Sequence, residues 1–368
     1  MKLFCSQKDL DYAINIVSKA ISPNNTLPVL NNILVKAEGK KMYFSATNLE
    51  IAICCSIDAD VRNEGKTTVP AKLLSSYISL TTDEKVELNL VEGNTLSIAS
   101  ATSNTKIKCI SADEFPLIPE VEKGQEIKVN TDDLYTAVNE TVFAASMNTS
   151  RPVLSGVLMV GKGDEIKLVA TDSYRLAEKK IKINEKTEED VYSIVPARTM
   201  MELSKIVAKS EAKEVKMNIS KNQVLFSVDG VDLISRLIDG RFPDYEKIIP
   251  SETKTTCTVS VEDLTLVLKR VSLFARENNN SVKISVTNDD RMVVSSEETK
   301  IGEEKAELNI KINGDNNKIS LNAQYLIDVL TYIEDEKVLL QITDKAAPAV
   351  IKPAGSEDYV YIIMPLKV

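Results

Sequence analysis

Apolar positions along this chain follow two periods, and one stretch shows how they are ordered. After Asn130-Thr131-Asp132-Asp133, the residues Leu134, Ala137, Val138, Thr141, Val142 and Ala145 fall at helical spacing. This predicts a helix over 130–145 with one apolar side. Asn130 can accept a backbone N–H at the helix start, and Asp133 three residues on completes a capping-box-like pattern. The same grammar stands at Ser6-Gln7-Lys8-Asp9-Leu10, followed by Ala13, Ile14, Val17 and Ile21, and at Ser260-Val261-Glu262-Asp263-Leu264, followed by Val267, Leu268 and Val271. The three caps lie 124 and 130 residues apart, each about one third of the chain. The sequence reads as three tandem copies of one unit.

Period-two runs fill the space between the helices. In the first copy Leu30–Val35 and Lys41–Ala46 read as strands around a turn at Glu38-Gly39-Lys40, and Val69-Pro70-Ala71 opens a second helix. The second copy repeats this order, with Val195-Pro196-Ala197 at its second helix, a hairpin turn at Asp229-Gly230 and Phe242-Pro243 standing 127 residues after Phe115-Pro116. The third has helices over 260–276 and 322–333, and Met364-Pro365 takes the Phe-Pro position. Glu- and Lys-rich linkers at 120–126 and 251–256 set the expected domains at 1–122, 123–251 and 252–368. Each is α+β, with two helices packed on antiparallel sheet. A row of similar junctions has two unlike ends, and head-to-tail contact between two such chains can close a ring.

Composition narrows the chemistry. The chain has 368 residues, 43% hydrophobic and 27% charged, with no Trp and 5% aromatics, which points to aliphatic cores in several domains. The absence of His removes a His-based triad and a His metal site, and no P-loop or dinucleotide fingerprint occurs. Asp132-Asp133 and Asp289-Asp290 read as a helix cap and a turn, Asp172 and Arg175 as a turn ion pair. No enzyme, metal or cofactor is expected. Five cysteines without a CxxC spacing fit free thiols in a reducing compartment, and with no leader or membrane-length run the expected location is the cytoplasm.

Net charge is −9, yet the six predicted helices carry nine bases and nine acids, so the remainder holds the whole excess. Balanced helices against an acidic background fit a DNA-facing lining; ordinary solvated helix faces carry the same balance.

Particular motifs then carry a resemblance over the full length. Thr26-Leu27-Pro28-Val29-Leu30, Thr67-Thr68-Val69-Pro70-Ala71, Ala170-Thr171-Asp172 with Arg175-Leu176-Ala177, Leu237–Tyr245 and Tyr361–Lys367 resemble the bacterial DNA polymerase III beta subunit family, the replication sliding clamps. The resemblance implies a homodimeric ring that encircles duplex DNA and tethers the polymerase III alpha subunit. It also implies a clamp loader, and a pocket that takes short peptides from these partners and from other polymerases and repair proteins. Carried over residue by residue, the pocket comprises Leu154, Thr171, Tyr174, Arg175, Leu176, Pro243, Lys247, Ile248, Ile362, Met364, Pro365 and Leu366. Tyr174 stands where many relatives have His, and Lys247 where many have Arg. Asn24 stands at a position often basic in the family. Lys72, Arg198, Lys205 and Asn148 complete the implied DNA-facing set. The subunit interface would use Ile107, Leu273 and Phe274, although helix-end core packing explains the last two equally. The alternative reading is a repeat-built peptide scaffold that does not encircle DNA.

Overall fold

The computed structural model describes residues 1–22, 27–148, 150–187 and 189–366. Its elements recur with the sequence repeat. The first third contains β1 (Lys2–Ser6), α1 (Gln7–Val17), β2 (Asn32–Glu38), β3 (Lys41–Thr47), β4 (Ile51–Asp58), β5 (Asp60–Asn63), β6 (Gly65–Pro70), α2 (Ala71–Ser79), β7 (Lys85–Val91), β8 (Thr95–Ala99) and β9 (Asn104–Lys108). The middle third contains β10 (Gln125–Asn130), α3 (Thr131–Val142), β11 (Gly156–Lys162), β12 (Glu165–Thr171), β13 (Arg175–Lys182), β14 (Val191–Pro196), α4 (Ala197–Val207), β15 (Glu214–Ile219), β16 (Gln223–Val228) and β17 (Val231–Arg236). The last contains β18 (Thr255–Ser260), α5 (Val261–Ala275), β19 (Ser281–Thr287), β20 (Arg291–Ser295), β21 (Lys305–Asn309), β22 (Lys311–Gly314), β23 (Asn317–Asn322), α6 (Ala323–Tyr332), β24 (Lys337–Ile342), β25 (Ala349–Pro353) and β26 (Tyr359–Ile363).

The helices form for the reasons their sequences suggest. Ser6 accepts from the Asp9 amide and Ser260 from the Asp263 amide, each satisfying one of the free N–H groups of the first turn. Asn322 does the same for Gln324 and Tyr325. The apolar stripe is buried at matching offsets in all three copies: Leu10, Leu134 and Leu264; Ala13, Ala137 and Val267; Ile14, Val138 and Leu268. At the fourth offset Val17 and Val271 are joined by Thr141, whose hydroxyl donates to the Ala137 carbonyl at 2.6 Å and so enters the core without an unmet polar group. Each buried Leu or Ile of these stripes contributes about 1.5–3 kcal/mol.

The strands follow the repeat less closely. Two compact units divide the chain, residues 1–131 with 202–237 and residues 132–201 with 238–368. The first unit has a five-stranded sheet, β5-β1-β7-β8-β9, and an eight-stranded sheet, β10-β15-β16-β17-β4-β3-β2-β6. The second has a nine-stranded sheet, β14-β11-β12-β13-β26-β25-β24-β18-β22, and a four-stranded sheet, β21-β20-β19-β23. Both large sheets join strands of two sequence repeats: β17 pairs with β4, Leu233 opposite Ile53, and β13 pairs with β26, Leu176 opposite Ile362. The repeat borders expected at 122 and 251 fall between β9 and β10 and between β17 and β18. Packing ignores them because a strand edge is satisfied by whichever strand lies beside it. Among the described residues, no helix is long and apolar enough to cross a membrane.

Candidate functional site

The candidate peptide site grows from a turn. Between β12 and β13, Thr171-Asp172-Ser173-Tyr174-Arg175 reverses the chain, with Ser173 in the left-handed region at φ 79°. The Asp172 Oδ1 accepts from the amides of Tyr174 (2.9 Å) and Arg175 (3.0 Å), while the Thr171 hydroxyl donates to the Arg175 carbonyl at 2.6 Å and accepts from the Ser173 amide. The first unit repeats this construction at Thr47-Asn48-Leu49-Glu50-Ile51, down to φ 77° at Leu49 and the Asn48 carbonyl oxygen accepting two amides. Side-chain oxygens that replace backbone partners hold such turns.

Arg175 is the hub of this region. Its Nε lies 3.0 Å from Asp172, one terminal nitrogen lies 2.5 Å from Asp328 on α6, and the other donates to the Phe143 carbonyl at 2.8 Å. The guanidinium also lies over the Tyr325 ring, 4.5 Å from its centre. Burial pulls its pKa down, but Tyr361, Asp328 and Asp172 more than offset this, leaving it above the ordinary arginine value. With its donors engaged inside the fold, Arg175 orients the turn.

β26 completes the region. Arg175 pairs with Ile363 and Leu176 with Ile362, and beyond the strand the Met364 amide donates to the Tyr174 carbonyl at 2.8 Å. The Leu366 amide donates to the Ser320 carbonyl at the same distance, so the C-terminal tail is tied both to the turn before β13 and to β23. Beneath, Leu176 and Ile362 share one buried cluster with Phe242 and Tyr245, whose rings meet edge to face at 6.4 Å.

The twelve expected pocket residues separate by burial. Leu154, Thr171, Leu176 and Ile362 are buried; Tyr174, Pro243, Lys247, Ile248 and Met364 are exposed; Arg175, Pro365 and Leu366 lie between. Lys247 pairs with Asp244 at 2.5 Å, which raises its pKa through that hydrogen bond. Pro243 lines a cavity of about 550 Å³ with Phe242 and Tyr192, whose hydroxyl accepts from the Phe242 amide. Met364, Pro365 and Leu366 line a different cavity of about 830 Å³. Phe115-Pro116 also borders a cavity, of about 560 Å³, with Phe115 buried.

The other expected residues are dispersed. Lys72 is exposed in the first turn of α2, Arg198 is half-buried in the first turn of α4, and Lys205 in its last turn pairs with Glu202 at 2.9 Å. Asn148 caps a loop by accepting from the Ser150 amide; Asn24 lies outside the described residues. Sequence reasoning missed the company Lys205 keeps. Burial, together with Lys209 and Lys205 and against Glu202, lowers the pKa of Lys19, so a base of the first repeat shares a neighbourhood with two of the second. At the expected subunit interface, Leu273 is 52% exposed and Phe274 half-buried, whereas Ile107 is 4% exposed, turned into its own sheet opposite Leu96.

Comparison with known proteins decides the family. The family models for the DNA polymerase III beta subunit match the N-terminal domain over residues 1–119, the central domain over 128–244 and the C-terminal domain over 246–367. The chain belongs to that family. It is 30% identical to the beta sliding clamp of Synechocystis, covering 100% of this chain and 99% of that protein, and 30% identical to that of Staphylococcus epidermidis, covering 97% of each. Solved structures of the Bacillus subtilis DNA polymerase sliding clamp and the Thermotoga maritima DNA polymerase III beta subunit superpose with TM-scores of 0.95 and 0.94. Each is 28% identical and covers 100% of this chain and 99% of its own. The function is that of a DNA sliding clamp, a non-catalytic processivity factor of replication.

Proposed function

We propose that two copies of this chain close head to tail around duplex DNA and hold the replicative polymerase there through a short-peptide site in the second unit. The carrying observation is the β13–β26 pairing, which sets the Thr171–Leu176 turn beside Met364, Pro365 and Leu366. Leu154, Pro243, Ile248 and Ile362 supply the apolar remainder of the site, where a partner's hydrophobic anchors bury, and Tyr174 and Lys247 stand at its rim. Arg175 and Thr171 hold the frame. The polymerase III alpha subunit, the clamp loader, and other polymerases and repair proteins all use this site in turn.

Two open sheet edges support the ring: β9 borders the five-stranded sheet and β21 the four-stranded sheet. An unpaired strand edge invites pairing with another chain, and the exposed Leu273 gives that contact an apolar component, with Phe274 beside it and Ile107 of the other copy opposite. Lys72, Arg198 and Lys205, joined by Lys19 and Lys209 and by the polar Asn148, face the DNA in this reading. The protein works in the bacterial cytoplasm, where five free thiols are stable.

The test is topological. Loaded onto nicked circular DNA, the ring stays bound at high salt and leaves when the circle is cut. A protein held by phosphate contacts dissociates from both forms as salt rises, through counterion release. A peptide scaffold without encirclement never loads. Either of the last two outcomes removes the ring.

A further inference from the structure

The cavity of about 830 Å³ bordered by the C-terminal tail has two unlike walls. One is basic. Antiparallel pairing sets Lys283 opposite Ser320 and Ser285 opposite Lys318, so both lysines leave the same face of the β19–β23 ladder as diagonal neighbours. Val282, Ile284, Ile319 and Leu321 fill the buried face. Lys345, in the loop after β24, reaches the same space. Among the described residues none of the three forms an ion pair. Lys318 is held below its ordinary pKa, first by contact with Lys283 and further by Lys345. Three like charges crowded together are a standing repulsion that a bound anion relieves.

The other wall carries Glu297, Glu298 and Glu303, from the connection between β20 and β21. Met364, Pro365 and Leu366 form the apolar floor, and the Leu366–Ser320 hydrogen bond ties that floor to the lysine-bearing strand. The basic wall is therefore continuous with the peptide site.

We infer that this cavity recognises one or two acidic residues flanking the hydrophobic anchors of a partner peptide, with Lys283, Lys318 and Lys345 as the carboxylate-binding groups. The inference rests on the peptide-site reading above. It adds a specificity element that ranks partners by the charge beside their anchors. The glutamate wall limits it: a third or fourth acid extends toward Glu297 and Glu298 and gains nothing.

The experiment uses the full-length protein and the anchor peptide of its own polymerase subunit, extended by Asp-Asp or by Asn-Asn at either end, with Kd read by fluorescence anisotropy. At one end Asp-Asp tightens binding about tenfold over Asn-Asn at low salt, and the gain shrinks at high salt as screening grows. Lys283→Ala with Lys318→Ala removes the gain and leaves the Asn-Asn peptide unchanged, while Lys318→Arg keeps it. Equal affinities for Asp-Asp and Asn-Asn at both ends overturn the inference and leave the peptide site standing. A gain that survives the double lysine variant overturns it too. Failure of every peptide to bind removes the peptide site, and the inference with it.

Discussion

At the scale of single residues, Arg175 shows how a polar side chain at a proposed binding site can belong to the scaffold. Its guanidinium satisfies Asp172, Asp328 and a backbone carbonyl at once. Arg175→Ala leaves two carboxylates without their cation and lowers stability by about 3 kcal/mol. The urea midpoint measures this, and a shift within error of zero would show the network contributes nothing. Arg175→Lys recovers only part of the loss, since a point ammonium cannot serve three acceptors arranged around a planar fork. The buried thiols give a pH dependence. Burial raises Cys5 and Cys55 from the ordinary 9.0 to about 12. A group held protonated in the fold and free to ionise when unfolded contributes its full stability below pH 9, and that contribution is lost as pH rises from 9 toward 12. Unfolding midpoints across that range fall, and Cys55→Ala flattens the decline; an identical slope in the variant would place its cause elsewhere.

At the scale of elements, the helices were legible and some strands, β13 above all, were not. Ser6 and Ser260 announce their caps in sequence, and the structure has both. Replacing Ser260 by Ala removes the bond to the Asp263 amide and costs about 1 kcal/mol, readable as a lower thermal midpoint with unchanged helical circular dichroism at low temperature. The strand β13, Arg175–Lys182, reads Arg-Leu-Ala-Glu-Lys-Lys-Ile-Lys and has no place among the predicted strands. Its charges look like those of a solvated segment, yet Glu178 is 4% and Lys179 9% exposed. Lys179 lies 2.7 Å from Glu140, and Lys167 lies 3.6 Å from Glu178, so both charges enter the fold with partners. Those partners come from α3 and β12, and no window along β13 reveals them. β4 differs: its apolar run Ile51-Ala52-Ile53-Cys54-Cys55 reads as a strand by itself, and the structure sets it between β3 and β17 with Ile51, Ala52 and Ile53 buried.

At the scale of the whole molecule, the proposed assembly rests on the open edges of β9 and β21 and the exposed Leu273. Leu273→Asp places a charge in the proposed contact, and light scattering then reports the 40.6 kDa protomer where the parent gives twice that mass. Met364→Ala with Leu366→Ala leaves the mass unchanged and weakens partner-peptide binding at least tenfold; equal affinity in titration calorimetry would remove the pocket assignment. The threefold repeat, the helix faces, their caps and the family were all in the sequence, because periodicity and capping are decided by residues a few positions apart. Only the tertiary structure decided that β17 lies beside β4 and β13 beside β26, that Arg175 meets an aspartate 153 positions away, and that lysines from three elements face one cavity. Backbone hydrogen bonding between strands is the same for any pair of edges. The choice of partner is therefore made by the packing of whole layers, a property no local stretch of sequence contains.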